Sequence, residues 1–229
     1  MPRMGRVVVP NMPHHVVQRG HNRNVVFVSS EDYLYYLETL STWKVTLGVK
    51  VFAWCLMTNH VHLMLDPGDD IKSIGLLMKR LAGRQTRYVN SREGRTGSLW
   101  DGRYKLSIVD TDEYLLQCCR YIDLNPVKAG IARLPDDYQW SGYREMVDES
   151  AERIIDKSAF IEVGGITGSA YHDYCRQLVC SAENVFISER LESNRLTGSN
   201  RFVAEVERRT GIRLEYAKPG RPKNQHTVK

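Results

Sequence analysis

The sequence has no apolar run approaching a membrane span. Its opening, MPRMGRVVVPNMPHHVV, offers only a three-residue apolar run before Pro10, too short for a secretory signal. No C-x-x-C pair occurs among its five cysteines (Cys55, Cys118, Cys119, Cys175 and Cys180) and their number is odd. Neither a disulfide framework nor a thiolate zinc site is therefore indicated, and a reducing cytoplasm is the expected setting. Internal repeats and heptad runs are missing too, which argues against a solenoid or a coiled coil. Charge of one sign is not dominant: 32 Lys and Arg face 27 Asp and Glu, a formal +5. That balance is compatible with an anionic partner without requiring one. What remains is a 229-residue chain, expected to be soluble, with no membrane partner and enough length to bury a sizeable core.

The pattern along the chain alternates strands and helices. HHVVQRG (His14 to Gly20) reads as a short strand. The stretch Ser29 to Gly48 reads as a helix, with Ser29 or Ser30 at its start, Glu31 and Asp32 in its first turn and Gly48 at its end. VKVFAWCLMT and HVHLMLDP read as two strands joined at Thr58 and Asn59, IKSIGLLMKRLAGRQTRYVN as a helix, LWDGRYKLSIVD as a strand, and TDEYLLQCCRYIDLN as a helix capped by Asp110 with Glu113. Strand, helix, strand, strand, helix, strand is the order of a split βαβ unit. The expected class is α+β: a ferredoxin-like antiparallel sheet carrying helices, with a C-terminal helical extension and a basic tail. The expected divisions are 1–146, a variable and partly helical 147–194, and 195–229, whose helix SNRFVAEVERRTG closes at Gly211.

Chemistry concentrates in CLMTNHVHLML. Side chains alternate along a strand, so Val61, Leu63 and Leu65 point one way, while His60, His62 and Met64 point the other. One face reads as core and the other as a site. Two imidazoles at adjacent same-face positions, about 7 Å apart, can converge on one divalent cation, although satisfied histidines would give the same pattern. On the later helix, Tyr121 and Asn125 stand one turn apart. A phenol is a possible nucleophile and an amide oxygen a possible third ligand. Equally, Tyr121 reads as a half-buried aromatic, and Asn125 before Pro126 as the N-cap of a new helix.

TNHVHLML, GHNRN, LWDGRYK, RYIDLNPVKAG and YQWSGYRE together resemble the single-tyrosine HUH transposases of the insertion-sequence type, and among them the REP-associated tyrosine transposases. The resemblance runs from about Met12 to about Glu145. It implies that 1–146 is a nuclease and strand-transfer domain acting on single-stranded DNA. His60 and His62 would be metal ligands, Tyr121 the catalytic tyrosine, and Asn125 the third ligand, which many relatives supply as glutamine. Two imidazoles, an amide oxygen and phosphate oxygens suit Mg2+ or Mn2+, with manganese the better match to nitrogen. The implied substrate is a hairpin-bearing single strand of REP type, and the implied state a monomer, with a homodimer as the alternative.

Several basic residues are candidates for holding that DNA. Arg19, His21, Asn22 and Arg23 suit phosphates or base edges. Lys79, Arg80, Arg84 and Arg87 form a run on one helix, continued by Arg103 and Lys105, although a solvated face would look the same. Arg208, Arg209, Arg221 and Lys223 make the tail basic, and KPGRPK resembles a minor-groove hook. A solubilising tail is the alternative reading. Two other functions compete: a non-catalytic hairpin-binding protein on the same scaffold, and a zinc hydrolase, which lacks an obvious acidic third ligand or general base at the needed positions.

Overall fold

The computed structural model describes residues 6–111, 114–148, 150, 153–177 and 181–212. Strands β1 (His14–Arg19), β2 (Lys50–Met57), β3 (His60–Asp66) and β4 (Lys105–Ile108) are interleaved with helices α1 (Ser30–Thr46) and α2 (Ser73–Glu93). They form one sheet in the order β2-β3-β1-β4, antiparallel throughout. This is the expected ferredoxin-like α+β arrangement. In the register, Arg19 faces His60, and both Val17 and Cys55 face His62. Directly opposed residues share a face. His15, Val17, Arg19, Cys55, His60, His62 and Met64 therefore line one side of the sheet.

Local chemistry explains where the elements begin and end. The Asp32 carboxylate accepts from the backbone N–H groups of Val28 (2.7 Å) and Ser29 (2.9 Å) at the start of α1, and pairs with Arg92 of α2 at 2.8 Å. Helix α2 stops at Gly94, whose φ of 61° is left-handed. Tyr36 and Leu40 of α1 and Ile74, Leu77 and Leu81 of α2 are buried with Val16, Leu56 and Leu63 of the sheet, and fill its other face. The strand expected from Leu99 is shorter than its apolar pattern: Trp100 makes only an isolated bridge to Gly20, and Gly102 turns the chain at φ 69°. Glu113, the expected capping partner of Asp110, lies outside the described residues, while the Asp110 carboxylate receives the Ser199 hydroxyl at 3.3 Å.

The histidine face is covered rather than open. Helix α3 (Tyr114–Asp123) lies on it with Leu115, Cys118, Cys119 and Ile122 buried, leaving His62 only 4% and Met64 0% exposed. Burial of Leu115 and Ile122 contributes about 1.5–3 kcal/mol each. Next come α4 (Asn125–Lys128), α5 (Tyr143–Val147), α6 (Lys157–Gly164), α7 (Gly168–Arg176), α8 (Ser181–Glu192) and α9 (Asn200–Thr210). Their contacts reach deep into the first two-thirds of the chain. Lys44 pairs with Asp156 at 2.8 Å, the Tyr171 hydroxyl donates to Asp123 at 2.7 Å, and Arg120 forks onto both carboxylate oxygens of Glu183 at 2.9 Å.

Both sheet edges are occupied. Along β2, Leu56 N–H donates to Trp140 O at 2.9 Å and Gly142 N–H to Trp54 O at 2.8 Å. Along β4, Thr197 N–H donates to Ile108 O at 2.8 Å and Asp110 N–H to Thr197 O at 2.9 Å. Cys55, Cys118, Cys119 and Cys175 are buried free thiols. Among the described residues no helix is long and apolar enough to cross a membrane.

Candidate active site

His60 and His62 owe their orientation to the loops and strands beside them. Gly20 brings the end of β1 against the turn at Thr58 and Asn59; a Cβ there would sit 2.3 Å from Asn24 O and 3.3 Å from Asn59 O, so only glycine fits. The Asn59 amide nitrogen donates to Arg23 O at 3.0 Å, which turns its oxygen toward His60 Nδ1, 2.6 Å away. His60 must then carry its proton on Nδ1, leaving the Nε2 lone pair free for another partner. His62 Nδ1 lies 3.0 Å from Nε2 of His15. When His62 donates to His15, its Nε2 is free in the same way. Burial lowers His60 to about 4 and holds His62 well below the usual histidine range. Both rings are therefore neutral at pH 7, as ligands must be.

Tyr121 and Asn125 reach the same place from α3 and α4. The Tyr121 ring lies 5.9 Å from that of His62 and 5.8 Å from that of His15, and the two histidine rings of β3 are 5.0 Å apart. Burial raises the Tyr121 phenol, opposed by the Ser188 hydroxyl, which favours the ionised form. The Asn125 amide nitrogen donates to Tyr121 O (2.7 Å) and Ile122 O (3.3 Å). Asn125 is thus not the N-cap expected before Pro126. Leu124 holds that position, and Asn125 is the first residue of α4. Its side chain closes the end of α3 with its nitrogen, which leaves Oδ1 as its acceptor. All four residues line one cleft of about 180 Å³ with Val17, Arg19, Asp101, Arg103, Lys105, Ser188, Leu191 and Glu192. Two nitrogen lone pairs and an amide oxygen around such a cleft suit one divalent cation with positions left for phosphate oxygens.

The basic candidates separate into groups. Arg19, Arg103 and Lys105 line the cleft. His21, Asn22 and Arg23 form an exposed turn beside His60, with Asn22 and Arg23 at left-handed φ of 53° and 60°. Lys79, Arg80, Arg84 and Arg87 lie on α2, on the opposite face of the sheet, where Arg80 stacks 4.4 Å over Trp43 and Arg84 5.7 Å over Tyr35. The structure does not bring these four to the cleft. On α9, Arg208 pairs with Glu205 at 2.8 Å and Arg209 is exposed. Arg221 and Lys223 lie outside the described residues.

Sequence reasoning missed His15, Lys128 and the α8 residues. His15 carried a signal, since it alternates with Val17 and Arg19 on the face that β3 gives to His60 and His62. Lys128 is four residues beyond Leu124 in the same motif as Tyr121, and its ammonium lies 3.9 Å from the centre of the Tyr121 ring. Partial desolvation by its neighbours lowers it to about 8 although the residue as a whole is exposed, so it stays largely charged at pH 7. Ser188, Leu191 and Glu192 gave no signal, because their approach depends on a fold-level contact between distant segments.

A solved structure of a REP-associated tyrosine transposase bound to a REP hairpin is similar over 67% of this chain and 90% of that one, with a TM-score of 0.56 and 16% identity. A crystal structure from Deinococcus radiodurans R1, assigned only provisionally as a transposase, is 24% identical over 53% of this chain and 96% of that one, with a TM-score of 0.36. A bacterial tRNA(His) guanylyltransferase-like protein in complex with GTP covers 58% of this chain and 74% of its own, at 11% identity and a TM-score of 0.35. Only the first of these bears on the fold. No curated protein sequence matches. The model of the IS200-like transposases matches residues 8–125, a span that holds β1 through α3 together with His60, His62, Tyr121 and Asn125, and the chain belongs to that family.

Proposed function

We propose that the protein is a metal-dependent endonuclease and strand transferase for single-stranded DNA, acting beside hairpins of the REP type and passing through a 5′-phosphotyrosine. The observation that carries this reading is the packing of the Tyr121 ring 5.9 Å from the His62 ring, in one cleft with His60 and Asn125. His60 Nε2, His62 Nε2 and Asn125 Oδ1 would hold Mg2+ or Mn2+, which when bound withdraws charge from a phosphate and favours attack on it. Arg19, Arg103 and Lys105 hold the DNA backbone in the cleft by neutralising phosphates. The Tyr121 oxygen gives its proton to water and bonds to phosphorus, the bond from phosphorus to the 3′ oxygen breaks, and that oxygen takes a proton from water and leaves as a 3′ hydroxyl. The phosphotyrosine keeps the energy of the broken linkage, so a second 3′ hydroxyl can reverse the step without ATP.

Hairpin DNA as partner is supported by the hairpin bound to the similar transposase. A monomer is part of this reading; among the described residues, both sheet edges are met by other segments of the same chain. Buried free thiols fit a reducing cytoplasm. The test uses Tyr121→Phe, which removes one oxygen and keeps the ring. With a hairpin oligonucleotide labelled at its 3′ end, downstream of the cut, wild type should give a labelled protein band that survives boiling in detergent, and the variant none. An adduct on the variant, or one mapped by peptide sequencing to another tyrosine, defeats the assignment.

A further inference from the structure

Helix α8 presents three residues to Tyr121 at four-residue spacing. Asn184 Oδ1 accepts from Lys128 Nζ at 2.6 Å. The same ammonium lies 3.9 Å from the centre of the Tyr121 ring and donates to Tyr121 O at 3.5 Å. One turn later, Ser188 lines the same cleft as Tyr121, and its hydroxyl favours the ionised phenol. A further turn brings Glu192 to the rim of the same cleft. Residues four apart share one face of a helix, so this face of α8 is turned to the nucleophile. A second tie fixes α8 against α3: Arg120, next to Tyr121, forks onto Glu183 at 2.9 Å, with side chains only 7% and 17% exposed. None of α8 falls within residues 8–125, which the family model matches.

We propose that α8 supplies positioning residues for the nucleophile: Asn184, acting through Lys128, fixes the Tyr121 ring, and Ser188 fixes its oxygen. This rests on the reading of Tyr121 as nucleophile. An in-line attack needs the oxygen held about 3–3.5 Å from phosphorus, and a displacement of 1 Å can cost about 100-fold in rate. A tyrosine turns freely about two side-chain bonds. A cation on the ring face restricts the ring, and a hydroxyl beside the phenol restricts the oxygen. Arginine can replace the lysine on a ring face, because its guanidinium is also cationic and stacks there.

The full chain carries the test. At saturating hairpin and Mn2+, Lys128→Met, Asn184→Ala and Ser188→Ala should each form the Tyr121 adduct about 10- to 100-fold more slowly. Hairpin dissociation constants should stay within about twofold, since the phosphate contacts are untouched. Lys128→Arg should recover most of the rate. Rates equal to wild type overturn the proposal. So do faster rates, which would make α8 a cover over Tyr121. A readout independent of DNA cleavage separates this from the proposed chemistry: acetylation of Tyr121 by N-acetylimidazole, scored by peptide mass spectrometry against the other tyrosines of the chain. Lys128→Met and Ser188→Ala should alter the relative rate at Tyr121 by about threefold or more, as expected when a held ring is released. If wild type forms no adduct, an altered acetylation rate still supports the positioning role, and an unaltered one overturns it.

Discussion

Nδ1 of His60 and the side-chain oxygen of Asn59 are 2.6 Å apart, and the orientation of that amide is set by its own bond to Arg23 O at 3.0 Å. Partners of this kind fix the tautomer and direction of a ligand ring, and their loss typically weakens metal binding by about 10- to 100-fold. Asn59→Ala should therefore lower Mn2+ affinity by about tenfold in a calorimetric titration, with little change in thermal midpoint. An unchanged affinity would show that His60 needs no such guide.

Acid should unfold the protein early, and His14 is the cleanest reporter. It lies on the core side of the sheet, fully buried, with Nδ1 donating to Met12 O at 2.7 Å and Nε2 accepting from Val9 N–H at 3.2 Å. Only the neutral ring satisfies both bonds. Burial depresses His14 from 6.5 to about 4, so its stabilisation is fully present above pH 6.5 and is lost as pH falls toward 4. At 1.36 kcal/mol per unit this amounts to roughly 3 kcal/mol at most. His15, His60 and His62 shift in the same direction. Asp123 opposes them, since burial raises its carboxyl to about 7 and the fold gains stability as that group protonates. Urea midpoints should fall between pH 6.5 and 4.5, more steeply in Asp123→Asn. A His14 ring resonance titrating near 6.5 would refute the argument.

The sheet was legible because its signals are local. Alternation in His60 to Leu65, the Ser29 and Asp32 start of α1 and the glycine after α2 each determine their own element. Tyr121 and Asn125 could be placed on one face from spacing alone. Of the two readings of Asn125, the N-cap does not hold, because Leu124 takes that position and the Asn125 amide closes the preceding helix, which only the backbone reveals. That the Tyr121 face of α3 can lie over His60 and His62 follows from the shared spacing, but the approach of α8 to the same cleft was not legible, since it depends on a contact between distant segments. Arg80 and Arg84 lie over Trp43 and Tyr35, a pairing between helices that no local pattern reveals.

The basic tail can be tested only if it is cut in the right place. Residues 194–197 bond to β4 through Asn194 Oδ1, Ser107 Oγ and Thr197, and Val203 and Val206 of α9 are buried. Removing everything after Asn194 strips an edge from the sheet and should lower the thermal midpoint substantially. Removing residues after Ile212 should leave the midpoint unchanged while flattening the salt dependence of hairpin binding, because fewer phosphates are neutralised. Equal salt slopes for that shorter chain and the full one would make the tail a bystander.

Asn125 is the residue for which two roles can be measured apart. Its nitrogen closes α3 by donating to Tyr121 O and Ile122 O, and under the proposed function its oxygen would be a ligand to the cation. Asn125→Ala removes both. Loss of the two bonds at the helix end should cost about 1 kcal/mol of stability, seen as a lower urea midpoint. Loss of the oxygen should raise the Mn2+ concentration needed for half-maximal adduct formation without abolishing the adduct, since His60 and His62 still offer two nitrogens. Asn125→Asp separates the two roles. A carboxylate cannot donate to the helix carbonyls, so the stability loss should persist, but it binds a divalent cation at least as well as an amide, so the metal requirement should return toward that of wild type. If both variants lower the midpoint while neither moves the Mn2+ titration, Asn125 is a cap alone and the cation is held by the two histidines without it.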